Sequence, residues 1–169
     1  MDEIEVMIRD RSPLKLLIDR VSIIDPASLP QDQQIHLAFT CARINKLTSS
    51  KFKPSNSALH AIVEEAAFRI NLDQEPPANI SKLFWACASV DVRPFIPPGL
   101  SKQLLNHDMS DKEFCTIIWA LSKFVLPEDP DGRLVFEELI ASLSEDRADR
   151  LSNDDVVNLL RSMSQFYLR

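Results

Sequence analysis

The chain has 169 residues, 45% of them hydrophobic and 26% charged, with 19 basic against 25 acidic residues and a formal net charge of −6. This balance fits one globular domain or a short array and confines any nucleic-acid role to a local patch, since a surface that tracked a polyanion throughout would be basic. Two glycines are too few for phosphate-cradling loops or dinucleotide fingerprints, and no apolar run reaches the length of a membrane-spanning helix.

The opening MDEIEVMIRDRSP is acidic, lacks a long apolar stretch, and resembles neither a secretory signal nor an Arg/Ser-rich transit peptide. Ser12-Pro13 then reads as a cap and first helical residue for LKLLIDRVSII, because the N–H that proline lacks would be unpaired there anyway. Residues 1–30 are therefore expected to form an N-terminal half-repeat or cap.

Four later stretches lie over one another: IHLAFTCARIN from Ile35, ISKLFWACASV from Ile80, FCTIIWALSKF from Phe114 and VVNLLRSMSQF from Val156. Positions 1, 4, 5 and 8 of each fall on one face of a 3.6-residue helix, and the seventh is usually small, which lets a neighbour approach closely. Their starts are 45, 34 and 42 residues apart, a spacing that suits an irregular two-helix repeat. Partner helices are expected over Ser57–Ile70 (stripe Leu59, Ile62, Val63, Ala66, Ile70), over LSKQLLNH after Pro97-Pro98-Gly99, and over Leu134–Leu143. Ser110-x-x-Glu113 and Ser152-x-x-Asp155 are capping patterns, each placed just before an aligned segment. The expected architecture is an all-α solenoid of irregular helix pairs forming one domain over 1–169, with approximate repeats 31–76, 77–109, 110–151 and an incomplete 152–169. A closed multi-helix bundle uses the same amphipathic stripes and is the alternative.

Ile117-Ile118-Trp119-Ala120-Leu121-Ser122-Lys123-Phe124 resembles the core of the octotricopeptide repeat, with Leu83-Phe84-Trp85-Ala86-Cys87-Ala88 as a second copy. The related heptatricopeptide repeats and the helical part of FAST-kinase-like proteins share this likeness. It runs from about Ile35 onward, with Thr40 and Arg161 aligned at the tryptophan's place in the outer copies. The resemblance implies an α-solenoid in a mitochondrion or plastid, associated with RNA or with a ribosome, and cytoplasm is the alternative location. From the residues alone, Trp85 and Trp119 are expected at equivalent places in successive helix pairs, mostly buried as core residues.

From Gln33 through Val63 there is no acidic residue, whereas Arg43, Lys46, Lys51 and Lys53 supply a local +4. These four are the candidate contacts to RNA phosphates or to an acidic protein partner. Glu128 through Asp155 is the opposite, with 10 acidic and 3 basic residues. Phe166, Tyr167 and Leu168 form an aromatic-apolar cluster expected to meet a partner at the C-terminal end.

No catalytic constellation emerges from the sequence. His36, His60 and His107 lack zinc or protease spacing, and Glu64-Glu65 and Glu137-Glu138 are adjacent carboxylates typical of solvated helix faces. Cys41, Cys87 and Cys115 are widely separated and are expected as reduced, buried thiols. No metal, cofactor, enzyme activity or membrane insertion is expected. The expected function is a non-catalytic module of an organellar ribonucleoprotein, with a protein-binding scaffold free of RNA contact as the alternative.

Overall fold

The computed structural model describes residue 6 and residues 14–48, 58–126 and 128–168. Among them the chain is all-α, without a strand. In order come α1 (Leu14–Ser22), α2 (Gln31–Thr48), α3 (Ala58–Arg69), α4 (Pro77–Val90), α5 (Leu100–Leu105), α6 (Asp111–Phe124), α7 (Pro130–Ala141), α8 (Glu145–Arg150) and α9 (Asn153–Tyr167). No described helix is long and apolar enough to cross a membrane.

Local chemistry sets most of these boundaries. Pro77 opens α4, and the helix ends where Asp91 turns left-handed at φ 61 and donates its N–H to the Cys87 carbonyl. Gly99 precedes α5 at φ 86, a backbone region that an L side chain enters only with strain. Ser110 and Glu113 form the expected capping box on α6: the Ser110 hydroxyl accepts the Glu113 N–H, and the Glu113 carboxylate accepts the Ser110 N–H at 2.8 Å. Asp129 caps α7 ahead of Pro130, and Ser152 caps α9 through the Asp155 N–H. The proposed cap at Ser12-Pro13 lies outside the described residues. Helix α8 is too short and polar to carry an apolar stripe, which is why periodicity missed it.

Four helices pack in a row: α2 against α4, α4 against α6, and α6 against α9. Start meets start where α6 and α9 adjoin, since Arg150, just ahead of α9, reaches Asp111 in the first turn of α6. The remaining helices flank this row, with α3 on α2 and α4, and α7 on α6 and α5. Leu83, Phe84, Phe114, Ile117, Ile118 and Phe136 are fully buried between them. In the helix expected over Leu134–Leu143, Val135, Phe136 and Leu139 belong to this core, while Ala141 is exposed. Two polar ties join flanking elements. The Gln103 amide donates to the carbonyls of Leu72 and Glu75 at 2.8 and 3.0 Å, and the Ser101 hydroxyl donates to the Glu138 carboxylate.

Burial corrects the alignment of the first segment. Residues 34–44 of α2 and 114–124 of α6 show the same succession of buried and half-open positions, and 80–87 of α4 follows it closely. The register therefore starts at Gln34, one residue before the sequence alignment placed it. Phe39, not Thr40, stands where Trp85 and Trp119 stand; Thr40 is fully buried. The polar Gln34 at the head of α2 concealed this, because an apolar residue was expected there.

Candidate nucleic-acid interface

In the corrected register Phe39, Trp85, Trp119 and Arg161 occupy the same place on the four row helices. The three rings are flanked by buried pairs and are themselves half-buried, whereas Arg161, between buried Leu159 and Ser162, is exposed beside the exposed Leu160. The two tryptophans do fall at equivalent places, as the superposition of LFWAC on IIWAL implied. Both pack against the core and are mostly buried, as expected, without reaching the full burial of the residues on either side of them.

The open side carries cations beside the rings. Phe39 and Trp85 lie 5.0 Å apart between centroids, tilted by 56°. The Arg43 guanidinium carbon sits 5.8 Å from the Phe39 ring and the Lys46 ammonium 5.5 Å from the Trp85 ring. An open groove of about 380 Å³ runs past Trp85 between Lys82 on α4 and Lys112 on α6. A second, of about 600 Å³, runs past Trp119 between Lys123 on α6 and Arg161 on α9. Glu113 is the one carboxylate lining the first groove, and it is already engaged by the Ser110 N–H; no carboxylate lines the second. Among the described residues Lys82, Lys112 and Arg161 make no ion pair. A chain of net charge −6 thus carries a face on which positive charge and aromatic surface alternate.

Of the four residues singled out for phosphate or acidic-partner contact, Arg43 and Lys46 lie at the edge of this face, on the last turns of α2. Lys51 and Lys53 lie outside the described residues. Lys82, Lys112, Lys123 and Arg161 were missed because they are dispersed, one or two to a helix, and never raise the charge of a local window. The signal was available in the register: three residues before and four after the aromatic place stand His36, Arg43, Lys82 and Lys123.

The C-terminal cluster divides. Phe166 stacks on Phe136 at 3.8 Å between centroids, with planes 10° apart, so its ring fastens α9 to α7. Tyr167 meets both rings edge-on while remaining 55% exposed, and Leu168 is 83% exposed.

His60, His107 and the three cysteines have structural surroundings. His60 Nδ1 lies 3.8 Å from Glu64 one turn on, and His107 Nδ1 pairs with the Gln103 carbonyl at 2.8 Å. Burial pushes the thiols of Cys41 and Cys87 up to about 12, and that of Cys115 up to about 11, where the carboxylates of Asp155 and Asp111 add to the effect. Nucleophilic chemistry needs a thiolate, and these environments oppose it. No family model, curated protein or solved structure matches the chain.

Proposed function

We propose that this chain is a non-catalytic helical-repeat module that holds single-stranded RNA along the open side of α2, α4, α6 and α9, within a ribonucleoprotein of a mitochondrion or plastid. The reading rests on one observation: Trp85 and Trp119, at equivalent places, each offer a half-open indole to a groove flanked by lysine or arginine. A base stacked on such a ring gains about 1–3 kcal/mol, and phosphates of an extended strand find cations on both sides. The organellar setting comes from the resemblance of LFWACA and IIWALSKF to octotricopeptide repeats. An open array rather than a closed bundle is favoured by the row itself, in which each helix packs on the next in order.

Binding to a panel of single-stranded RNAs across salt concentrations tests the proposal. Replacing Lys82, Lys112 and Lys123 together by glutamine should weaken binding with little sequence preference. The slope of log affinity against log salt should fall by about 2, as the loss of three single-strand phosphate contacts at about 0.7 each requires. Wild-type protein with no measurable RNA affinity would move the assignment to a protein-binding scaffold, a reading favoured by the exposed apolar residues of α9.

A further inference from the structure

The two grooves on the open side offer different chemistry to a strand lying in them. In the groove past Trp85 the hydrogen-bonding side chains are largely spent on the fold itself. The Ser81 hydroxyl donates to the Ala78 carbonyl at 3.0 Å, and the Glu113 carboxylate is held by the Ser110 N–H. Thr116 is left as the one neutral polar side chain lining this groove that makes no hydrogen bond among the described residues.

The groove past Trp119 is equipped otherwise. Ser162 spends its hydroxyl on the Asn158 carbonyl at 2.8 Å. The side chains of Asn158, Arg161 and Gln165, however, are exposed, line the groove and make no hydrogen bond among the described residues. They stand at i, i+3 and i+7 on α9, hence on one face and about one turn apart. A guanidinium flanked by two amides thus forms the α9 wall of a groove whose α6 wall carries Trp119. Leu160, 59% exposed, adds apolar surface to the α9 wall.

This set of groups discriminates among bases. The guanidinium fork donates two parallel hydrogen bonds and fits a pair of adjacent acceptors, while the amide oxygens accept donors beside that pair. Guanine matches on both counts, with O6 and N7 for the fork and N1–H and N2–H for an amide oxygen. Adenine sets an amino donor next to N7, against the fork. Uracil has no two adjacent acceptors. Cytosine offers O2 and N3 to the fork and its amino group to an amide, but its single ring covers less of the indole than a purine does.

We infer that the groove between α6 and α9 takes an unpaired guanine, its face on Trp119 and its O6 and N7 on the Arg161 guanidinium, whereas the groove past Trp85 accepts any base. The inference rests on the RNA-binding reading and adds to it the place where sequence is read.

The probes are oligouridines of about ten nucleotides, unaltered or carrying one central guanosine, adenosine or cytidine, titrated against the full chain by fluorescence anisotropy. The guanosine strand should bind at least about fivefold more tightly than the unaltered one, and ahead of the other two. Arg161→Lys keeps the charge but not the fork, so it should remove that preference while leaving the salt dependence unchanged. Lys112→Gln, in the other groove, should weaken all four strands alike and leave their order intact. Four strands that bind the wild type equally, or a guanosine preference that survives Arg161→Lys, overturn the inference and leave the RNA-binding reading standing. Absence of affinity for every strand overturns both.

Discussion

Phe39 on α2 and Trp85 on α4 hold their rings 5.0 Å apart, and Lys46 lies 5.5 Å from the same indole, so neighbouring helices are joined at their open edge by an aromatic pair that a cation covers. Such a contact contributes about 0.5–1 kcal/mol at an exposed site. It also leaves ring surface on the solvent side, which separates these residues energetically from the core beneath them.

Trp119→Ala should consequently cost only about 1–3 kcal/mol, less than the ~3–5 kcal/mol typical of a fully packed aromatic. Phe84→Ala, one helix away and completely buried, should reach that upper range. Urea unfolding of both variants side by side makes the comparison, and equal losses would mean that the tryptophan is core after all.

Gly132 sits under the cap of α7. A Cβ built there would lie 2.6 Å from Asp129 Oδ2 and 2.9 Å from Val125 Cγ2. The Asp129 carboxylate cannot swing away without releasing the Gly132 N–H it accepts at 3.0 Å. Gly132→Ala should therefore destabilise by about 1–3 kcal/mol in thermal unfolding, despite alanine's better helix propensity.

The buried thiols predict a pH dependence on the alkaline side. Folding raises the values of Cys41 and Cys87 from 9.0 to about 12, so above pH 9 the unfolded chain releases protons that the folded chain retains. Their contribution is fully present below pH 9 and is lost as pH rises toward 12, at a limiting slope of about 1.4 kcal/mol per pH unit for each thiol. Denaturant midpoints at pH 8 and pH 10 should diverge, and the Cys41→Ala/Cys87→Ala double variant should narrow the gap. An identical gap in wild type and variant would remove the thiols from the account.

Helix class and the starts of α6 and α9 were legible in the sequence because they rest on local signals: a 3.6-residue stripe and a serine with an acid three places on. The face proposed to hold RNA was only half legible. Its tryptophans stand out by type, but a sequence says only that a ring follows an apolar pair, not how much of it a neighbour covers. Lys82 and Lys123 are ordinary surface lysines until α4 and α6 are set side by side. The one-residue error at Ile35 has the same root: Gln34 is buried, its amide nitrogen donating to the Leu29 carbonyl at 2.7 Å while its Oε1 stays without a partner, and no apolar pattern foresees a glutamine there.

The Gln103 amide, which spends both of its hydrogens on the Leu72 and Glu75 carbonyls, ties the lifetime of one element to that of another. Helix α5 has six residues, too few to persist by itself, so its amides depend on what it packs against, and the Gln103 tie makes the Leu72–Gln74 turn part of that support alongside α7. In hydrogen exchange the two segments should open as one unit, with residues 100–105 losing protection at the rate set by a turn nearly thirty residues upstream.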